Sequence, residues 1–221
     1  MRRLVALLAV VLGLAACVTH PDGAYYPPPN QPHTVTLART LARAAQAAGD
    51  EPARYSFALI PTDAVTAFAA GDATFYFSEG LARQPQPTID ALVAHKVAHE
   101  VLGHAGQRRT LSLSVTAGFV VVGIAVPGLG LLDLLVNPLV VRAFTREQAL
   151  AADARATAIL RAMGHGAPRR MLAAALSAAA AVNGPATGGL LATEPPLADR
   201  LAQLEPLEPL AEVAAHAPAP R

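Results

Sequence analysis

Two histidines four positions apart, His95 and His99, lie in the stretch Ala91 to His104, which reads Ala-Leu-Val-Ala-His-Lys-Val-Ala-His-Glu-Val-Leu-Gly-His. On a helix they leave from one face, the arrangement by which two imidazoles grip a single zinc ion. A hydrolytic site of this kind is H-E-x-x-H, with the glutamate beside the first histidine taking a proton from metal-bound water. Lys96 stands in that place. In its charged form an ammonium cannot accept that proton and is repelled by the metal. A catalytic zinc also needs a third protein ligand and an open position for water, so a further ligand from elsewhere in the chain is required, commonly a glutamate on a later helix.

Lys96 is the only lysine in a chain that otherwise uses arginine for every basic side chain. A desolvated lysine can lower its pKa and act as a base, or bind metal as a neutral amine. Glu100 lies one turn on, about 6 Å along the axis, better placed to pair with Lys96 than to reach a zinc-bound water. His104 lies about 180° around the helix from His95 and reads as a hydrogen-bonding residue at the helix end.

The elements that must position these residues follow from pattern and punctuation. Val35, Leu37, Leu41 and Ala45, with Arg39 and Arg43 between them, suit an amphipathic helix from Val35 to Ala48, stopped by Gly49-Asp50. Tyr55 to Ile60, Val65 to Ala69 and Ala73 to Phe77 have strand character, and Gly71-Asp72 supplies a turn that makes the last two a hairpin. The strand Ala73 to Phe77 is expected at an edge, open to an extended peptide. Thr88 is expected to cap the histidine helix, which runs to about Leu102. Leu111 to Val141 is the most apolar stretch after the N-terminus, but Gly123, Pro127, Gly128, Gly130 and Pro138 divide it, which suits a buried or membrane-facing helical hairpin better than one span. A helix from Thr145 to Met163, an alanine-rich one from Pro168 to Asn183 and a short one from Leu197 to Leu204 complete the domain, and the chain from Glu205 is expected to be loose.

Length and composition bound the rest. The 221 residues make one domain with a sizeable core, and because 53% are apolar but only 5% aromatic, that core is built from Ala, Leu and Val, which favours helices. Arg2-Arg3, the apolar run Leu4 to Leu14 and Leu14-Ala-Ala-Cys17 form an export signal ending in a bacterial lipobox, so Cys17 is the expected lipidation site and first mature residue. The formal charge of +1 then becomes −1, and nothing points to nucleic acid. Cys17 is the sole cysteine, so no internal disulfide forms. Val18 follows it in place of the aspartate that marks inner-membrane retention, which places the protein on the periplasmic face of the outer membrane. The expected organisation is a signal over 1–16, a lipidated Pro-rich tether over 17–33, one domain over 34–204 with the apolar hairpin over about 111–141, and a tail over 205–221.

Several ordered landmarks resemble the zinc metallopeptidases of the CAAX prenyl protease and HtpX type, including their periplasmic lipoprotein branch. Val65-Thr-Ala-Phe-Ala69 resembles V-N-A-F-A, and Phe75-Tyr-Phe-Ser-Glu-Gly-Leu81 resembles the strand followed by T-x-G-L. His95 to His99 matches H-E-x-x-H, Arg146 to Asp153 resembles R-x-x-E-x-x-A-D, Gly164 to Pro168 fits A-G-y-d-P, and Thr193-Glu194-Pro-Pro with Arg200-Leu201 fits T-H-P-P followed by R-I. The resemblance implies an α+β, zincin-like fold, mainly helical, with a small sheet beside the His95/His99 helix. It implies zinc on His95 and His99, with Asp153 as the carboxylate holding a ligand histidine or as a weak third ligand.

The departures fall on the chemistry. Lys96 replaces the general base, Ala149 the third metal ligand, and Glu194 a histidine expected near the active site, while Arg200 keeps its place. Losing the base alone costs about 10²- to 10⁴-fold in rate. These losses on a retained scaffold imply an impaired or inactive peptidase, with zinc held weakly or not at all, that binds a polypeptide substrate or client in envelope quality control. It meets the membrane through the Cys17 lipid and the apolar hairpin. The alternatives are a working zinc endopeptidase and a structural lipoprotein.

Overall fold

The structure, a computed structural model, describes residues 21, 23–69, 73–103, 133–184 and 195–210, without the side chains of 133–145. Helix α1 spans Pro32–Ala48 and ends where Gly49 turns left-handed, φ 81°, its N–H closing on the carbonyls of Ala45 and Gln46. It buries Thr34, Leu37, Thr40, Leu41, Ala44 and Ala45, a stripe stepping by three and four. Val35, expected on that face, is exposed because it sits about 100° round from Thr34.

After a short 3₁₀ turn (Pro52–Arg54) come strands β1 (Ser56–Ile60), β2 (Ala67–Ala69) and β3 (Thr74–Ser78), in the spatial order β1-β3-β2. β3 runs parallel to β1, Phe57 opposite Phe75, and antiparallel to β2, Ala67 opposite Phe77. The expected hairpin is present. The expected edge strand is not an edge: β3 is central, and its consecutive buried residues Phe75, Tyr76, Phe77 and Ser78 are what a strand covered on both faces requires.

Ser78 then caps α2 (Glu79–Ala82), accepting from the Leu81 N–H at 3.0 Å while exchanging two hydrogen bonds with the Thr66 backbone. Gly80 is required there, since a Cβ would stand 2.2 Å from the Asp63 carbonyl oxygen.

The histidine helix, α3, covers Gln86–Val101 and begins two residues before Thr88, with Pro85 at the cap and a proline in the first turn, where a missing N–H is harmless. Ile89 to His95 are all buried, because α3 is central, packed against α1, β2 and two later helices. Helix α4 runs unbroken over Asp133–Ala162, so the separate start expected at Thr145 is absent and the helix already includes the last part of the expected apolar hairpin. The rest of that hairpin, the Gly71-Asp72 turn, His104, Glu194 and Cys17 lie outside the described residues. No helix among the described residues is long and apolar enough to cross a membrane.

Ala149, Ala152, Ala156, Ile159 and Leu160 form the buried stripe of α4. Helix α5 (Pro168–Asn183) ends with Asn183 gripping the Val65 backbone at both its N–H (2.7 Å) and its C=O (2.9 Å). Helix α6 (Leu197–Leu204) follows as expected. Residues 205–210 are not loose, because the Glu208 carboxylate accepts the N–H groups of Arg169 and Arg170, each at 2.9 Å, at the start of α5. An anion there meets unsatisfied helix donors and the positive end of the dipole.

Candidate functional site

His95 and His99 leave α3 from one face, their rings edge to face with centroids 4.8 Å apart. His95 is 2% exposed, at the contact between α3 and α4. From α4 comes Asp153, fully buried, and from α6 comes Arg200. The guanidinium takes the carboxylate two-pronged, Nε to Oδ2 at 2.8 Å and Nη2 to Oδ1 at 2.6 Å. The same Nη2 stands 3.0 Å from His95 Nε2, which is itself 3.2 Å from Asp153 Oδ1.

Burial pushes the His95 imidazolium down to about 4; Asp153 opposes this, and the positive charges of Lys96 and Arg200 reinforce it. Burial alone would raise the Asp153 carboxyl, but Arg200 and then His95 outweigh it and hold it below the usual carboxylate range. His95 is therefore a neutral imidazole against an Arg–Asp ion pair. Since a guanidinium only donates, Nε2 either accepts from Arg200 or carries a proton toward Asp153. In both tautomers its lone pair is unavailable.

The described residues therefore do not fit a catalytic zinc. His95 Nε2 is engaged and lies against a cation, position 149 is a buried methyl one turn before Asp153, and no group of three or more His, Cys, Asp or Glu side chains among the described residues is gathered as a metal site. Lys96 is half-buried beside His95, and Glu100 accepts the Ala73 N–H at 3.2 Å, tying the end of α3 to the start of β3.

The structure thus brings together His95, His99, Asp153 and Arg200 from three helices that the sequence spaces far apart. Motif reading missed a second buried cluster on α3. Asp90 Oδ1 accepts from Gln86 Nε2 (2.6 Å) and Thr40 Oγ1 (3.1 Å), and Asp90 Oδ2 lies 3.1 Å from His165 Nε2. A single acid between Ile89 and Ala91, in an otherwise apolar turn, was the available signal.

An α+β scaffold with a three-stranded sheet beside a central helix bearing histidines at i and i+4 defines a metallopeptidase-like domain. The family model of peptidase family M48 matches residues 32–208, and the chain belongs to that family. Comparison with curated proteins finds no match.

Proposed function

We propose that this chain is an M48-type envelope lipoprotein that binds polypeptides without efficiently hydrolysing them. The observation that carries the reading is the Arg200 guanidinium on His95 Nε2, in a site that also has Lys96 at the base position and Ala149 at the third-ligand position. Protein charge stands against His95 where the family's chemistry needs a metal and a carboxylate. A quality-control role on the periplasmic face of the outer membrane, anchored through Cys17, is the setting we propose.

Elemental analysis of the purified full chain tests it. The expected zinc content is far below one equivalent, with no cleavage of a reduced, unfolded protein substrate. Near-stoichiometric zinc accompanied by cleavage overturns the reading in favour of a working endopeptidase. The paired substitution Lys96→Glu with Ala149→Glu should increase zinc retention. If it does not, the assignment of those two positions is wrong.

A further inference from the structure

The side of the sheet away from β2 carries a second feature, distinct from the histidine site. In β1, Ser56, Ala58 and Ile60 direct their backbone groups to β3, so Phe57 and Leu59 face outward. Leu59 is taken: Tyr25 pairs with it antiparallel, N–H to O at 2.9 and 2.8 Å, and the Tyr25 hydroxyl is anchored on Glu79 at 2.6 Å. Continuing that ladder by two residues would set Pro27 opposite Phe57. Proline has no N–H to give, and the run Pro27-Pro28-Pro29 leaves the edge. The N–H and C=O of Phe57 have no partner among the described residues.

Where the chain departs, an open groove of about 500 Å³ remains, walled by Tyr26, Pro27, Pro29, Val35 and Phe57 and reaching Thr34 and Arg39 on α1. Thr34 lines the groove, is 7% exposed, and its buried hydroxyl has no hydrogen-bond partner among the described residues. Gln31 does not cap α1 with its side chain, and the N–H groups of His33 and Thr34 have no acceptor among the described residues. Arg39 makes no hydrogen bond or ion pair among the described residues.

We propose that this groove holds the free carboxy-terminal end of an extended polypeptide: one antiparallel pair to Phe57, the last apolar side chain between Tyr26 and Val35, and the carboxylate at Arg39 and the start of α1. An outward N–H and C=O on one residue match a peptide main chain. The open edge is short, closed by Tyr25 at Leu59 and by the 3₁₀ turn, whose Pro52 carbonyl takes the Tyr55 N–H. It therefore suits a chain end better than a strand passing through. The unpaired cation and uncapped helix start supply the complement to a carboxylate. The occupant's class rests on the polypeptide-binding reading; the site itself does not depend on whether the histidine centre hydrolyses.

The test is fluorescence anisotropy on the full chain in mild detergent, with a labelled apolar heptapeptide bearing a free C-terminus and with its C-terminal amide. The acid should bind at least about tenfold more tightly than the amide. Arg39→Gln should erase that preference, Phe57→Pro should weaken both peptides by removing the outward donor, and Thr34→Val should weaken the acid a few-fold. Thermal melts confirm that each variant is folded. Equal affinity of acid and amide, or no effect of Arg39→Gln, overturns the proposal. If a reduced, unfolded protein still binds while the heptapeptide acid does not, the groove proposal falls and polypeptide binding stands. If neither binds and the chain instead forms a dimer that Arg39→Gln dissolves, the groove is a self-association surface and the proposal falls.

Discussion

Asp153 and Asp90 are both buried carboxylates set against a histidine Nε2, at 3.2 and 3.1 Å, and each holds α3 to a neighbouring element. Their remaining partners differ. Asp153 is neutralised by a guanidinium that is itself buried, so three ionisable groups share one dry contact between helices. Asp90 is satisfied by a hydroxyl and an amide, with Arg43 only at 3.9 Å and His165 partly open to solvent. Burial alone would raise the Asp90 carboxyl, but His165, Gln86 and Thr40 hold it below the usual range. Similar burial thus yields two kinds of site. One depends on exact charge balance at the inherited catalytic position; the other is an ordinary polar tie between α1, α3 and the turn before α5.

The sharpest way to separate them is to remove the balancing charge. Arg200→Ala leaves the Asp153 carboxylate buried without its cation and should cost about 3–5 kcal/mol in urea unfolding. Replacing both partners by apolar side chains, Arg200→Met with Asp153→Leu, should restore most of that loss, because no uncompensated charge remains. If the single substitution is nearly neutral, the ion pair does not organise the site.

Acid should divide the clusters next. His95 is neutral when folded, pushed down to about 4 from an ordinary 6.5, so the unfolded chain binds the extra proton between those values. Its contribution is complete above pH 6.5 and is lost as pH falls toward 4, on the order of 1–3 kcal/mol. The two lowered aspartates add losses of the same sign below the ordinary carboxylate value. Urea midpoints at neutral pH and at about pH 4.5 should show this drop, and His95→Gln should flatten it. An unchanged profile in His95→Gln would mean that the proton goes elsewhere.

The sequence made the first cluster readable and hid the second for a physical reason. His95, Asp153 and Arg200 occur at positions whose spacing has chemical meaning, so a motif exposes them before any contact is known. Arg200 on the metal-binding nitrogen could not be read that way, since it depends on how α6 lies across α3 and α4. Asp90 is recognised only when α1 and the α4–α5 turn deliver Thr40 and His165 to it. The sheet taught the same lesson. Strand character and the turn signal foretold the β2–β3 pairing, but strand order is set by where β1 docks, and that moved β3 from the edge to the centre. Local punctuation also misled at Thr145, where helix propagation from Asp133 absorbs a residue that by itself suits a cap.

Asp90→Ala is the matching probe of the second cluster. It leaves Thr40 and Gln86 without their common acceptor, and desolvated donors left unmet cost about 1–3 kcal/mol in unfolding experiments. This is less than the expected effect of Arg200→Ala, because neutral donors lose less than an unpaired buried charge. Equal effects would erase the distinction between the clusters.

The smallest expected effect belongs to His165→Gln. Its buried Nε2 faces Asp90 Oδ2 at 3.1 Å without hydrogen-bond geometry, and the rest of the side chain is about a quarter exposed (26%), so little is lost when it is shortened. Gln86 and Thr40 still satisfy the other oxygen, which leaves a change of about 0.5–1 kcal/mol in the urea midpoint. The corresponding loss at His95, which is buried against Asp153 and Arg200, should be several times larger. A penalty at His165 as large as that at His95 would show that Asp90 also depends on a charged partner, and that the two carboxylates are held by the same physics.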